Sequence, residues 1–118
     1  MPRTFNTDIL DQCLQRERLE NEKTRKRTLR QLTQLLPKLA GDYGLREAYV
    51  FGSLTKPGRF RKNSDIDIAV LGLKKKDYFA FMAALRNALE REVDVIELES
   101  HPWREKILEA GIQWKEPN

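Results

Sequence analysis

The chain has 118 residues, 40% hydrophobic and 34% charged, with a formal net charge of +4. That length suits one domain around one core. No apolar run approaches the ~18 residues of a membrane span; one cysteine excludes an internal disulfide, and one Cys with one His excludes an ordinary zinc site.

The start, Met1-Pro2-Arg3-Thr4-Phe5, lacks the apolar stretch of a signal peptide. With the lone Cys13, it points to a cytoplasmic protein. Residues 8–36 contain no glycine or proline and are rich in Leu, Arg, Lys, Glu and Gln, which are good helix formers. Thr7 is placed as the N-cap. Ile9, Leu10, Cys13 and Leu14 form one apolar stripe, with Cys13 read as buried filler. Leu29, Leu32, Leu35, Leu36 and Leu39 form a second. Residues 15–28 between them are nearly all polar, which predicts one long helix with an exposed waist, or two helices. The second stripe packs on the domain, and the first reaches beyond it towards another subunit. Pro37 is expected to kink or end the helix, and Gly41 or Gly44 to stop it. The basic block Lys23–Arg30 reads as a solvated helix face; it has no aromatic residue of the kind that stacks on nucleic-acid bases.

Ala48-Tyr49-Val50-Phe51 reads as a strand ending at Gly52, with Ser53 opening a short helical turn. Lys56, Arg59, Arg61 and Lys62 crowd the loop around Pro57-Gly58. They repel one another without acidic neighbours close in sequence, which predicts a loop that orders only on an anion. Residues 66–71 form a second strand closed by Gly72, and Lys74-Lys75-Lys76 is a turn. Residues 76–91 form a helix with a broad apolar face through Tyr78, Phe79, Phe81, Met82, Leu85 and Leu89. Residues 93–98 alternate as a third strand, residues 102–110 suit a short helix, and residues 112–115 add an edge strand. His101 has a surface or capping role, and Trp103 and Trp114 are packing residues. The whole is an α/β (α+β) fold, a small mixed sheet flanked by helices. It is divided into a helical extension at 1–28 and a domain at 29–118.

The chemistry concentrates at Gly52-Ser53 and Ser64-Asp65-Ile66-Asp67-Ile68. In a strand, residues i and i+2 share a face roughly 6–7 Å apart, so Asp65 and Asp67 project together. Paired carboxylates suit a hard divalent cation, and magnesium takes one or two carboxylates plus substrate phosphates. Gly52, without a Cβ, lets backbone approach a phosphate. Asp94 interrupts the apolar run of the third strand and is the third candidate carboxylate. Glu97 falls on the opposite strand face and reads as solvated.

The pattern Gly52-Ser53-x4-Gly58-x5-Ser64-Asp65-Ile66-Asp67-Ile68 resembles the signature of the minimal nucleotidyltransferases of the DNA polymerase β-like superfamily. The likeness runs from about Leu29 to Trp114. It implies a triphosphate-binding Gly52-Ser53 pair and two Mg2+ ions held by Asp65, Asp67 and Asp94. Ser64, Lys56, Arg59, Arg61 and Lys62 then line the nucleotide, with ATP as substrate. The eleven residues between Ser53 and Asp65 are one more than in the commonest form of the signature. The resemblance further implies AMP transfer to a protein, as by antitoxins that adenylylate a tyrosine of a HEPN RNase toxin. The alternatives are a non-catalytic antitoxin that neutralises by contact, or a nucleotidyltransferase acting on a small molecule or an RNA end, with the basic block as RNA contact. The first apolar stripe serves a HEPN-type partner or a homo-oligomer.

Overall fold

The structure, a computed structural model, describes residues 7–115; Met1–Phe5, read above as lacking a signal sequence, lie outside the described residues. Helix α1 (Thr7–Tyr43) is a single helix of 37 residues. Thr7, read above as the N-cap, already lies within the helix. Pro37 lies inside it and does not end it. Proline removes one N–H donor and crowds the preceding turn, but Leu36, Leu39 and Ala40 are buried around it, and that packing carries the helix through. Gly41 is passed as well. Gly44 supplies the stop, with φ 71° and its N–H bonded to the Ala40 carbonyl at 2.8 Å.

The chain continues through β1 (Glu47–Phe51), a 3-10 turn (Gly52–Thr55), β2 (Ile66–Leu71), a second 3-10 turn (Lys75–Asp77), α2 (Tyr78–Leu89), β3 (Val93–Glu97), α3 (Arg104–Ala110) and β4 (Ile112–Lys115). The sheet order is β3-β2-β1-β4. β1 is antiparallel to β2 and β4, and β2 is parallel to β3. Parallel neighbours require a crossover, which α2 provides. The sheet is therefore mixed, as the sequence predicts.

Strand alternation divides the sheet into two faces. Ala48, Val50, Ile66, Ile68, Val70, Val93 and Val95 pack with Leu32, Leu36 and Leu39 of α1 and Phe81 and Leu85 of α2. On the other face, Tyr49 and Ala69 pack with Leu98, in a third 3-10 turn (Leu98–Ser100) after β3, and with Ile107 of α3. The apolar face of α2 is narrower than its sequence suggests, because Phe79 is exposed. β4 is tied to β1 through Gln113, whose side-chain amide donates to Glu47 Oε1 at 3.1 Å and Tyr49 Oη at 2.9 Å. Trp114 packs at the core margin. Trp103 does not: it is exposed and meets His101 edge-on. His101 stands before the turn that leads into α3, its Nδ1 accepting the Trp103 N–H at 3.1 Å, and among the described residues no side chain caps α3 itself.

The first half of α1 projects past the sheet, and the molecule extends over 68 × 28 × 24 Å. Residues 7–20 are all exposed. Cys13 is among them, so it is not the buried filler expected: the sheet does not reach this far along the helix. Leu10 and Leu14 are each 41% exposed. The core therefore depends on the second half. Leu36→Ala should lower stability by about 2–5 kcal/mol, and Leu10→Ala by less than about 0.5 kcal/mol. Urea unfolding of both variants checks this, and equal losses would make the projecting half part of the core.

Candidate active site

The ladder register brings the candidate carboxylates together. Asp67 of β2 pairs with Phe51 of β1 on one side and with Asp94 of β3 on the other. Asp67 and Asp94 lie on the α3 face, two residues before the buried or partly buried Ala69 and Ile96. Asp65 precedes β2 on the same alternation. One face of the sheet is thus apolar under α3 and acidic at its end. Asp65 and Asp94 are exposed and Asp67 is half-buried. Burial, then Asp94, then Asp65 push the Asp67 carboxyl above its ordinary value of 3.8. Among the described residues, no three acidic, His or Cys side chains form a closed metal cage. The aspartates are gathered within electrostatic reach but not drawn up as ligands.

Gly52 follows the Phe51–Asp67–Asp94 row immediately. Its φ of 76° is left-handed, a region glycine occupies without steric cost. A Cβ there would overlap Asp67 Oδ2 and lie 3.3 Å from its Cγ. Glycine is required twice over, for the turn and for the approach of Asp67. Ser53 stands in the 3-10 turn, where its carbonyl accepts the Lys56 N–H at 3.1 Å. Thr55 Oγ1 donates to the Gly52 carbonyl at 2.8 Å.

The loop of cations, expected from sequence to order on an anion, carries ties to the rest of the fold that its own sequence does not show. Gly58 N–H donates to Glu22 Oε1 at 2.6 Å. Phe60 is buried, with the Arg91 guanidinium 4.4 Å from its ring centroid. Arg91 Nη1 also donates to the carbonyls of Arg61, Lys62 and Ser64 at 3.0, 3.2 and 2.8 Å. The acidic group at the loop tip, Glu22, comes from α1, 36 residues from Gly58, and its cation is Arg25 rather than a cation of the loop. Ser64 has a turn-closing role: its Oγ accepts the Arg61 N–H at 2.8 Å. Lys62 lines a groove of about 280 Å³ with Ser64, Asp65 and Arg91. Arg61 lines a different groove, of about 670 Å³, with Leu14, Arg18 and Glu22 of α1. Lys56 and Arg59 are exposed beside the Pro57-Gly58 turn. The structure joins Gly52 to the three aspartates and sets Lys62 at their edge. Among the described residues it does not bring Lys56, Arg59 or Arg61 against them.

Residues 31–115 match the family described as polymerase beta, nucleotidyltransferase. The chain belongs to this nucleotidyltransferase family. A candidate minimal nucleotidyltransferase of known structure is 30% identical, with TM-score 0.62, covering 73% of this chain and 92% of that one. A toxin–antitoxin structure with AMP-PNP is 32% identical, with TM-score 0.59, covering 71% and 73%. A mutant of the toxin–antitoxin MntA–HpeT is 28% identical, with TM-score 0.58, covering 71% and 73%. No curated protein matches the chain by sequence. Among the described residues, no helix is long and apolar enough to cross a membrane.

Within this nucleotidyltransferase, the sequence reading missed Glu22, Arg25 and Arg91. Arg25 is 8% exposed, although it belongs to a block read as solvated; Thr28 of that block is buried too. Arg25 lies at helical spacing upstream of Leu29, Leu32 and Leu36, so the buried stripe continues into a charged residue. That continuation was the available signal. Glu97, read as solvated, is partly buried; with Asp94 it adds to burial in raising the Tyr78 phenol pKa.

The raised Asp67 carboxyl sets a pH dependence. The folded chain holds more proton there than the unfolded chain, so stability falls as pH rises from 3.8 through the raised folded value. Asp67→Asn should remove this fall and raise the melting temperature of the metal-free protein above that interval. Thermal melts across pH in a chelator measure it; identical pH profiles for variant and parent would contradict the burial and repulsion assigned to Asp67.

Proposed function

We propose that this nucleotidyltransferase moves AMP from ATP to a hydroxyl on a protein acceptor, in the cytoplasm. The acceptor is a tyrosine of a HEPN-type toxin, and the chain is its antitoxin. The observation that carries the reading is the single row Phe51–Asp67–Asp94, with Asp65 beside it and the Gly52-Ser53 turn at its end. The likeness to toxin–antitoxin structures, one with AMP-PNP, supports the acceptor class.

The three aspartates fit magnesium by donor chemistry: oxygen ligands on one face, with burial and the charges of Asp94 and Asp65 raising the Asp67 carboxyl, a repulsion a cation would relieve. Asp65, Asp67 and Asp94 would hold two such ions, which when bound neutralise phosphate charge. The Gly52-Ser53 turn would meet the triphosphate with its backbone, while the space of the missing Gly52 Cβ is taken by the Asp67 carboxylate. Lys62, at the edge of the aspartates, would meet the phosphates, and the exposed Lys56, Arg59 and Arg61 add positive field from the same loop. The acceptor oxygen attacks the α-phosphorus, and the bond to the α,β-bridging oxygen breaks. Pyrophosphate leaves with that bond's electron pair. Asp94, exposed at the start of β3, takes the acceptor's proton. Nucleotidyl transfer needs mainly positioning and charge neutralisation, so no side-chain nucleophile is invoked.

A second reading has its own observation. The exposed Leu10 and Leu14 of α1 suit neutralisation by contact alone, through a partner or a second copy. Incubation with α-labelled ATP, magnesium and the protein encoded next door separates the two. Label should pass to a tyrosine of that protein, and Asp65→Asn or Asp67→Asn should cut transfer by about a hundredfold or more. Loss of transfer in these variants with neutralisation retained would favour contact. No label with the intact chain, or full transfer in either variant, would sink the catalytic reading.

A further inference from the structure

We propose that Glu22 and Arg25 of α1 are positioning residues for the nucleotide, a clamp that holds the phosphate-binding segment in shape from outside the sheet. The proposal rests on the nucleotidyl-transfer reading above. Arg25 Nε donates to both Glu22 oxygens, at 3.2 and 3.1 Å, and Nη2 donates to Glu22 Oε2 at 3.0 Å. The remaining arm, Nη1, donates to the Leu54 carbonyl at 3.2 Å. Glu22 passes the connection on to the Gly58 N–H. The pair therefore bridges the two ends of residues 54–58. One end belongs to the Gly52–Thr55 turn. The other is the tip of the cationic loop, where Gly58 has φ 80°.

A buried guanidinium is costly unless it is paired and its donors are used. A methionine at position 25 would fill similar space without that cost. It would leave the Leu54 carbonyl without this donor and Glu22 without its cation. What the charged pair adds is directional hold on backbone, and the backbone held is the part that meets phosphates. Arginine suits the task because its planar fork engages a carboxylate and a carbonyl at once. The aspartates stand apart from this clamp, because β2 and β3 fix them through their own ladder. Loss of the clamp should therefore weaken nucleotide binding more than the chemical step.

The test uses Glu22→Ala, Glu22→Gln and Arg25→Lys in the full chain. In Glu22→Ala, hydrogen exchange over residues 52–60 of the nucleotide-free protein should quicken, while β2 and β3 keep their protection. KM for ATP should rise about tenfold, with kcat within about threefold. Glu22→Gln keeps an acceptor for Gly58 and should recover most of the loss. Arg25→Lys keeps the charge without the fork and should resemble Glu22→Ala. The Glu22→Ala/Arg25→Lys double variant should be no worse than the worse single one, as for residues of one unit. Unchanged exchange over 52–60 in Glu22→Ala would overturn the clamp. So would equal losses in kcat and KM with a lowered melting temperature, which would mark a general brace. If the intact protein transfers no nucleotide, the proposed function fails, and AMP-PNP titration decides the clamp: about tenfold weaker binding by Glu22→Ala supports it, and equal binding overturns it.

Discussion

The register across β1, β2 and β3 is the constraint from which the rest of this molecule follows. Phe51, Asp67 and Asp94 fall in one row, and Gly52 begins its turn one residue later. A slip of one residue between β2 and β3 would set Val93 or Val95 beside Asp67 and turn Asp94 into the core. What prevents it is apolar alternation. Ile66, Ile68, Val93 and Val95 are all buried on the face covered by α1 and α2, and each fully buried side chain of this kind contributes about 1.5–3 kcal/mol. The hydrophobic face thus forces like charges together on the opposite face. The raised carboxyl of Asp67 is the electrostatic trace of that compulsion.

The cations around this site divide into two groups with different work. Arg25 and Arg91 turn their guanidinium groups onto backbone carbonyls and serve the shape of the loop. Burial pushes Arg91 below its ordinary value while the charge of Asp65 pulls it back up. Lys56, Arg59, Arg61 and Lys62 are exposed, and their ammonium and guanidinium groups stay available to a polyanion. A loop carrying four like charges would spread if left alone. Phe60 buried beneath Arg91, and Gly58 tethered to Glu22, hold it compact without neutralising it.

The strands and the signature residues were legible because they are written at short range. Period-two alternation marks 66–71 and 93–97, and a glycine after Phe51 announces a turn. The long helix was legible as an alternative because nothing in 8–36 breaks it. Its passage through Pro37 was not, since local propensity opposes it and only the buried Leu36, Leu39 and Ala40 decide. The tie between Glu22 and Gly58 was invisible for a different reason. Thirty-six positions separate them, and no periodicity relates a helix waist to a loop tip. Cys13 shows the reverse error. It stands on an apolar stripe, but a stripe tells only which face would be buried, not whether the sheet extends far enough to bury it.

That projecting stripe raises the question of what keeps the first half of α1 helical. Helices without tertiary support are marginal in water, because nucleation is costly while propagation is cheap. Here the nucleus exists: Arg25, Thr28, Leu32 and Leu36 are fixed against the domain, and the turns before them need only propagate. The Glu20–Lys23 pair, at 3.7 Å with both side chains well exposed, adds little. The helix is thus anchored from its second half, and Glu22 and Arg25 stand where anchoring begins. The residues that terminate the core are the same ones that hold the loop. A partner gripping residues 7–21 would hold a rod whose next turn is bonded to Leu54 and Gly58, so the surface such a partner would grip and the residues that hold the loop are consecutive stretches of one helix.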